Sequence, residues 1–183
     1  MEVIELPLAG LRVLKPKVLR DERGFFLESY RRDVLLKHGV DVEFVQDNHS
    51  RSTQHTVRGL HFQRASAKGP GQAKLLRVVS GRIFDVAVDI RPGSPTFGKW
   101  HAEILDSDDH HQLYVPVGFA HGFCVLSDVA DVLYKVSSVY DPETEAGFAF
   151  DDPAIAVAWP AKRGEAVLSK RDIEARAFSD VVR

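Results

Sequence analysis

The stretch that most clearly indicates the fold is AKLLRVVSGRIFDVAVDI, residues 73–90. Two runs rich in apolar and β-branched residues flank Ser80-Gly81, a pair typical of a two-residue hairpin turn. Side chains alternate between the faces of a strand, so the even positions 84–90 of the second run form one apolar face. Asp85 and Asp89 fall on the other face. The stretch therefore predicts a β-hairpin.

Strand signals continue on both sides of this hairpin. Further strands are predicted at residues 24–30, 100–105, 112–115, 123–126 and 131–140. A turn cluster occupies 91–95, and 65–71 has the composition of a flexible loop. Many short strands interrupted by Gly, Pro and Asp indicate an all-β fold, a β-sandwich or barrel of jelly-roll type.

Two short helices interrupt this β pattern. One is predicted over 30–38, capped by Ser29 and ended by Gly39. The other opens at Ser169. Asp172 stands three residues later, at the spacing of a capping box, so it either caps this helix or orients a histidine elsewhere.

Length and composition narrow the class of protein. A chain of 183 residues predicts one domain, 1–183, with a core that needs no disulfide, and the single cysteine, Cys124, lies in an apolar run as an inert thiol. The net charge of -2 argues against a general nucleic-acid binder. We find no signal-peptide pattern and no membrane-length apolar run, which predicts a soluble, cytoplasmic protein without membrane partners.

Two short phrases each place one histidine beside a glycine and aromatic residues. They are RGLHFQ at 58–63 and PVGFAHGF at 116–123. Histidine suits general-base chemistry because its ordinary pKa lies close to neutral pH. Taken alone, His61 could instead be a structural or surface residue, and His121 a hydrogen-bonded loop residue.

A metal centre is another use for histidines in a jelly-roll protein. Such a site usually shows a His-x-His pair with a nearby Glu, but His61 is followed by Phe62-Gln63. His110 and His111 are adjacent, so on a strand they point to opposite faces. We therefore predict no metal.

Lysine and tyrosine residues could complete an acid–base site. Lys74 shares its strand face with Leu76 and Val78, which directs it toward an apolar interior where it could stabilise an enolate oxygen. A solvent-facing lysine is the alternative. Tyr134 and Tyr140 lie six residues apart on one predicted strand face, either as core residues or as a proton donor and a pocket wall.

A series of phrases in order connects this chain to a known family. They are DERGFFLESY (21–30), QDNHS (46–50), RGLHFQ (58–63), FDVAVDIR (84–91), GSPTFGKW (93–100), residues 115–123, LYK (133–135), and Leu168-Ser169 with Asp172. Along nearly its whole length the chain resembles the dTDP-4-dehydrorhamnose 3,5-epimerase family. The resemblance implies a cupin-type jelly roll, a homodimer with exchanged N-terminal strands, a nucleotide-sugar substrate, and no metal or cofactor.

The resemblance also implies roles for individual residues. His61 resembles the family's base, Asp172 its orienting partner, Tyr134 the acid on the opposite face, and Lys74 the group that faces the sugar's carbonyl oxygen. Implied contacts are His121, Arg58, Gln46, Asp47 and Asn48 for the substrate, Arg23 and Glu28 for its nucleotide end, Glu145 as a ligand-binding acid, Asp85 as an acid near the catalytic histidine, and Tyr140 as a pocket wall.

Three details of the sequence qualify this resemblance. Arg171 stands where the family commonly has a lysine, which keeps the charge but changes the geometry of its contact. The segment between His61 and Lys74 is a few residues longer than usual. On a regular strand Arg58 and His61 point to opposite faces, so a bulge at Gly59 is needed to bring both to the substrate.

The sequence thus predicts a nucleotide-sugar epimerase that acts by proton transfer through an enolate. It would invert C3 and C5 of dTDP-4-keto-6-deoxy-D-glucose to give dTDP-4-keto-L-rhamnose. Three alternatives stay open: a C3-only or C5-only epimerase of a related sugar, a metal-dependent cupin enzyme, and a non-catalytic sugar-binding cupin.

Overall fold

Two antiparallel sheets form the body of the molecule. The computed structural model describes residues 1–67 and 69–182. The strands are β1 (Glu2–Glu5), β2 (Arg12–Lys15), β3 (Val18–Asp21), β4 (Gly24–Leu27), β5 (Gln46–Thr53), β6 (Val57–Gln63), β7 (Lys74–Ser80), β8 (Arg82–Asp89), β9 (Trp100–Asp106), β10 (Gln112–Val115), β11 (Phe119–Val125), β12 (Val129–Val136) and β13 (Glu145–Gly147). The helices are α1 (Arg32–Lys37), α2 (Lys170–Ile173) and α3 (Phe178–Val181).

Eleven of the strands are distributed between a six-stranded and a five-stranded sheet. The larger sheet has the order β1-β2-β10-β7-β12-β5, and the smaller sheet has the order β13-β6-β11-β8-β9. Apart from β1–β2 and β8–β9, neighbouring strands in each sheet are not consecutive along the chain, as in a jelly roll. The all-β fold predicted from the short strands is therefore confirmed. Among the described residues, no helix is long and apolar enough to cross a membrane.

The main hydrophobic core lies between the two sheets. Leu76 and Val78 of β7 meet Ile83 and Ala87 of β8 and Phe123 of β11, all of them buried. Burying one such large apolar side chain contributes roughly 1.5–3 kcal/mol before conformational entropy is subtracted. The sequence predicts that Lys74, Leu76 and Val78 share an interior strand face. That face of β7 does line this core.

The outer face of the smaller sheet is covered as well. Val86, Val88 and Ile90 pack against Phe148 and Phe178, which belong to the C-terminal part of the chain. The alternation read in residues 83–90 is thus correct, because the even-numbered face meets this outer cluster and Ile83 and Ala87 meet the core between the sheets.

The predicted hairpin at Ser80-Gly81 is wrong. β7 pairs with β10 and β12, whereas β8 pairs with β9 and β11, so the turn carries the chain from one sheet to the other. Gly81 has a φ of +80°, and a Cβ there would collide with the Val129 carbonyl oxygen and Ser127 Oγ. The tight turn was recognisable, but its residues do not record which strands become partners.

Local corrections also apply to the first helix and to β12. Helix α1 begins after Arg31, which makes no side-chain cap, and the Ser29 carbonyl oxygen accepts a hydrogen bond from Gln112 Nε2 at 2.8 Å. The predicted Ser29 cap is therefore wrong, whereas Gly39 follows the helix end with a φ of +74°.

β12 ends at Val136, so Tyr140 does not share a strand with Tyr134.

Candidate active site

A bulge in β6 brings Arg58 and His61 to the same side of the smaller sheet. His61 lies opposite His121 on β11, and Arg58 lies opposite Phe123, so β6 holds one extra residue between these pairs. Gly59 occupies the bulge with a φ of +146°, and a Cβ there would lie 2.5 Å from the Gly122 α-carbon. The bulge predicted at Gly59 is confirmed, because only glycine fits this close approach.

His61 forms a close pair with an acid that is remote in sequence. Its Nε2 donates to Asp172 Oδ1 at 2.6 Å, and the two residues are 111 positions apart. The bond uses Nε2, which leaves the Nδ1 lone pair of the neutral ring as the proton acceptor. Burial acts to raise the pKa of Asp172, but the interactions with His61, Ser169 and Arg171 together outweigh it and the pKa is lowered. An ionised Asp172 fixes the tautomer and stabilises a protonated His61.

The hydroxyl of Ser169, rather than the side chain of Asp172, caps helix α2, and Asp172 is the third residue of that helix. Ser169 Oγ accepts from the Asp172 backbone N–H at 3.2 Å and donates to Asp172 Oδ2 at 2.7 Å. The two carboxylate oxygens of Asp172 therefore accept from His61 and from Ser169 separately, while the helix cap itself uses the Asp172 backbone N–H. Substituting an N-cap serine by alanine typically costs about 1 kcal/mol.

The larger sheet supplies the opposite wall of the site. Lys74 of β7 and Tyr134 of β12 share the inner face with Leu76 and Val132, so they approach from the sheet that faces His61. Burial lowers the pKa of Lys74 to about 8, against the opposing effect of Asp85. Burial also raises the pKa of Tyr134, which keeps the phenol protonated at neutral pH.

These side chains line one continuous cleft between the sheets. Its larger part has a volume of about 520 Å³, and an adjoining part of about 180 Å³ shares His61, Lys74 and Tyr134 with it. The larger part also contains Arg58, His121, Arg171 and Asp172. The smaller part reaches Gln46, Asn48, Tyr140 and Glu145. The structure thus brings together eleven of the fifteen predicted site residues.

A network of hydrogen bonds defines the rim of the cleft. The Tyr140 hydroxyl donates to Glu145 Oε2 at 2.7 Å, and Arg171 Nη1 lies 2.5 Å from the same oxygen. Gln46 accepts from the Tyr140 backbone N–H and donates to Asn48 Oδ1 at 2.8 Å. Burial acts to raise the pKa of Glu145, but the interactions with Arg171, Tyr140 and His61 together outweigh it and the pKa is lowered. The arginine at position 171 therefore anchors an acid at the rim.

A second histidine–aspartate pair lies behind the cleft. His121 Nε2 donates to Asp85 Oδ1 at 2.9 Å, and Asp85 is completely inaccessible to solvent. Asp85 was expected near the catalytic histidine, but its direct partner is His121 rather than His61. Burial lowers the pKa of His121 and raises the pKa of Asp85. Asp85 therefore presents no accessible atom to the cleft.

Three predicted contacts lie away from the cleft. Asp47 alternates with Gln46 and Asn48 on β5, so its side chain is on the outer face, where Lys135 Nζ lies 2.8 Å away. Arg23 pairs with Asp21 in the exposed β3–β4 hairpin, and Glu28 pairs with Arg31. Asp47 reaches the wrong face because strand alternation separates it from its neighbours.

Comparison with known proteins agrees with this geometry. The family model described as dTDP-4-dehydrorhamnose 3,5-epimerase matches residues 5–180. The dTDP-4-dehydrorhamnose 3,5-epimerase of Escherichia coli K12 is 45% identical over 185 residues, covering 100% of this chain and 97% of that protein. The Neisseria gonorrhoeae enzyme of the same name is 45% identical over 98% of this chain. This chain spans only about half, 53%, of the length of the Neisseria enzyme.

Solved structures extend the likeness to the fold. The dTDP-6-deoxy-D-glucose-3,5-epimerase of Legionella pneumophila, solved in complex with dTDP-4-keto-L-rhamnose, has a TM-score of 0.91 and 43% identity, covering 97% of this chain and 93% of that one. The Elizabethkingia anophelis dTDP-4-dehydrorhamnose 3,5-epimerase has a TM-score of 0.92 and 39% identity over the whole of this chain.

This chain belongs to the dTDP-4-dehydrorhamnose 3,5-epimerase family. It is an enzyme of the isomerase class with a cupin-like jelly-roll fold. The likeness to a known family that the ordered sequence phrases indicated is confirmed.

The sequence did not predict several polar residues that line the epimerase cleft. Ser50 and Ser52 line the cleft beside Arg58, and Arg58 Nε donates to Ser52 Oγ at 2.9 Å. Ser50 Oγ is a buried oxygen without a hydrogen-bond partner among the described residues. The signal was present in the sequence, because positions 46, 48, 50 and 52 share one strand face.

The donor set of the epimerase does not fit a metal ion. Across residues 1–67 and 69–182, no group of three or more His, Cys, Asp or Glu side chains is arranged to hold one. His61 and His121 are neighbours, but each directs Nε2 to its own aspartate. His110, considered from sequence as half of an adjacent pair, stacks on Phe25 with ring centroids 4.5 Å apart.

Proposed function

We propose that the enzyme inverts its sugar carbons with His61 as base and Tyr134 as acid. The observation that carries this proposal is that the His61–Asp172 pair opens into the cleft from one sheet while Tyr134 and Lys74 reach it from the facing sheet. Epimerisation requires that a proton leave one face of a carbon and return to the other. Two facing sheets with a base on one and an acid on the other meet that requirement.

The first half of the reaction is proton abstraction. The ketone at C4 acidifies the hydrogens on C3 and C5, and His61 Nδ1 removes one of them. The electron pair of the C–H bond moves into the ring and onto O4, which becomes an enolate. A protonated Lys74 stabilises that charge, and one donor to an oxyanion is worth about 3 kcal/mol. Asp172 stabilises the imidazolium that results.

The second half returns a proton to the opposite face. Tyr134 donates its hydroxyl proton to the same carbon, and the electrons on O4 reform the ketone. Arg58 opposes the raised pKa of Tyr134 and so favours the phenolate left behind. His61 then carries an extra proton and Tyr134 lacks one, so both must exchange with solvent before the second centre reacts. General acid–base catalysis of this kind supplies roughly 10²–10⁴ in rate.

Incubation with dTDP-4-keto-6-deoxyglucose in D2O tests this proposal. NMR of the product should show deuterium at both C3 and C5 with inverted configuration at each carbon. Deuterium at one carbon alone would identify a single-centre epimerase. Turnover without any deuterium would contradict solvent exchange at His61 and Tyr134.

We propose that the rim of the cleft binds the rest of the nucleotide sugar. Arg58, Gln46, Asn48 and His121 are proposed to contact the sugar and the diphosphate. Glu145, Tyr140 and Arg171 form the wall toward the nucleotide. The Tyr140 ring is half exposed, at 51%, and so presents a free aromatic surface at the mouth of the cleft. Stacking on a base is an ordinary use of such a surface.

We also propose a homodimer in which the β3–β4 hairpin crosses to a partner subunit. β1 and β2 pair within their own sheet, so the exchange is limited to the hairpin, which belongs to neither sheet. The hairpin exposes Phe25 and Phe26, at 56% and 65%, as an interface core would before assembly. Arg23 and Glu28 would then reach the partner's nucleotide site.

Sedimentation of Phe26→Ser tests the dimer. We expect a shift toward monomer together with a raised KM, because the partner's nucleotide contacts leave with the hairpin. Ile104→Ser is the matched control, since Ile104 is 39% exposed on β9 and lies outside the hairpin. A fully active monomer would contradict this proposal.

We also propose that the enzyme is cytoplasmic. The buried free thiol of Cys124 is compatible with a reducing compartment.

A further inference from the structure

Helix α2 is held against the cleft by two consecutive side chains. Arg171 Nη1 lies 2.5 Å from Glu145 Oε2 of β13, and Asp172 Oδ1 accepts from His61 Nε2 of β6 at 2.6 Å. β6 and β13 are neighbours in the smaller sheet, where Gly147 stands opposite His61 in the strand register. The helix is therefore tied to two adjacent strands, and one of the two ties is the bond that orients His61.

Helix α2 has few other features that could fix it to those strands. It is four residues long, and Asp172 is its only buried residue, while Ile173 is 57% exposed. A helix this short is not stable without tertiary contacts. Among the residues that the structure describes, the hydrogen bonds and ion pairs that join its side chains to the strands are those with Glu145 and His61. Loss of one tie would leave the other to hold the helix alone.

The ion pair of Arg171 belongs to a series of contacts that begins at the rim of the cleft. The Tyr140 hydroxyl donates to the same Glu145 oxygen at 2.7 Å, and the Tyr140 backbone N–H donates to Gln46 Oε1 at 3.0 Å. The contacts therefore run from the proposed nucleotide wall, through Glu145 and Arg171, to the aspartate that follows Arg171 in the helix. A displacement of Glu145 would be transmitted to the partner of His61.

We propose that Arg171 is a positioning residue whose ion pair with Glu145 keeps Asp172 aligned with His61. This inference rests on the proposed role of His61 as the base. Arg171 affects the reacting carbons through the helix backbone and Asp172. The inference also gives a function to the arginine that stands where the family commonly has a lysine. A guanidinium fork loses less freedom than a lysine ammonium for each hydrogen bond that it forms, so it holds its partner in a narrower range of positions.

The exposure of this ion pair suits positioning better than stabilisation of the whole fold. The Arg171 side chain is 46% exposed and that of Glu145 is 21% exposed. A partly exposed ion pair contributes little to the free energy of unfolding, because water screens it. The alignment of a catalytic group is more demanding, since a displacement of about 1 Å can cost about 10²-fold in rate. Breaking the pair should therefore leave the enzyme folded and still slow the removal of a proton by His61.

The kinetics of Arg171→Met with saturating dTDP-4-keto-6-deoxyglucose in D2O test this inference. Deuterium wash-in at C3 and C5 should slow by about 10–10²-fold, because His61 loses its alignment. Lys170→Met is the matched control, since it removes the same charge from the preceding position, where the side chain is 88% exposed and lies 3.9 Å from Glu174. Its wash-in should equal that of the wild type. A change in Arg171→Met that is confined to KM would overturn the inference, because it would assign Arg171 to binding alone.

A double-mutant cycle separates positioning from a general loss of activity. In the Asp172→Asn background no carboxylate is left to align, so adding Arg171→Met should have no further effect on wash-in. A binding or structural role would lower the rate by the same factor in both backgrounds, and that result would refute the inference. Glu145→Gln breaks the ion pair from the other strand and should slow wash-in as Arg171→Met does, so either variant serves if the other does not fold. An unchanged rate in Glu145→Gln would equally contradict the proposal.

Proton NMR of the free enzyme provides a readout that does not depend on turnover. The His61 Nε2–H that is bonded to Asp172 should give a downfield signal in the wild type, assigned by its loss in His61→Asn. That signal should broaden or disappear in Arg171→Met and persist in Lys170→Met. A signal that is the same in Arg171→Met as in the wild type would rule the inference out. Failure of the proposed function looks different: His61→Asn would then keep its wash-in, whereas the signal would still respond to Arg171→Met.

Discussion

The two histidine–aspartate pairs are alike in chemistry and opposite in surroundings. His61 and His121 are direct cross-strand neighbours, and each directs Nε2 to one aspartate. The His61 side chain is 26% exposed at the cleft, whereas His121 is 10% exposed and Asp85 is fully buried. Hydrogen bonding lowers the pKa of Asp172 despite burial, while burial raises the pKa of Asp85.

This contrast separates a pair that opens to the cleft from one that is enclosed. A base becomes positive when it takes a proton, so it needs a partner that is already ionised and some access to water. His61 has both, because Asp172 is held ionised at the end of helix α2. His121 lies deeper, and the pKa of its aspartate is raised by burial rather than lowered. Burial, rather than the identity of the two residues, decides the role.

Replacing each histidine gives the largest expected difference between the pairs. His61→Asn should lower kcat by about 10²–10⁴-fold and abolish deuterium wash-in, because the base is gone. His121→Asn should mainly raise KM and keep the exchange at both carbons. Rates and NMR in D2O measure both effects, with circular dichroism as the check on folding. Loss of exchange in His121→Asn alone would reverse the two roles.

Substituting the two tyrosines tests which of them is the acid that acts opposite the His61–Asp172 pair. Tyr134→Phe should lose epimerised product yet keep measurable deuterium wash-in, because His61 still forms the enolate. Tyr140→Phe removes only a hydroxyl bonded to Glu145, so it should raise KM a few-fold and leave the stereochemistry unchanged. Product analysis by NMR distinguishes the two. If Tyr140→Phe abolishes product while Tyr134→Phe does not, the donor is Tyr140.

The same Asp→Asn change should affect folding stability in opposite directions. The pKa of Asp172 is lowered on folding, so its ionisation stabilises the fold above about pH 4, and this is lost as pH falls through the folded pKa. The pKa of Asp85 is raised, so its ionisation costs stability above about pH 4. At pH 7, Asp172→Asn should lower the free energy of unfolding by about 1 kcal/mol, and Asp85→Asn should maintain or raise it.

Urea unfolding at neutral pH measures this prediction, with kcat measured on the same samples. Asp172→Asn should also slow turnover by at least about tenfold, since His61 loses its ionised partner. Ser169→Ala is the matched control for the helix cap: it should lose a similar stability and keep most of the activity. Equal destabilisation by both Asp→Asn changes would remove the distinction between the pairs.

Chelation should have the smallest effect. Each histidine of the two pairs is bonded to an aspartate, and the proposed steps move only protons, so activity after exhaustive dialysis against EDTA should equal that of the untreated enzyme. Added zinc, iron or nickel should not increase it. A loss with EDTA that one of these metals reverses would contradict the proposed mechanism.

Several features of the site could be read from the sequence because they are local. Alternation along a strand placed Lys74 inward, and it separates Asp47 from Gln46 and Asn48 on β5. The glycine at position 59 marked the bulge that Arg58 needs. The capping-box spacing located helix α2 at Ser169. Each of these follows from backbone geometry within a few residues.

Only the tertiary structure decided which distant segments meet. The sequence places His61 and Asp172 111 residues apart, and nothing in either segment specifies the other. The turn at Ser80-Gly81 was visible, yet β7 pairs with β10 and β12, and β8 pairs with β11 as well as with the next strand, β9. Likewise, Asp85 reads as one more alternating strand residue until the second sheet covers it. Strand pairing and burial are set by long-range packing of the whole chain, and they leave one of the two His–Asp pairs open to the cleft while they enclose the other.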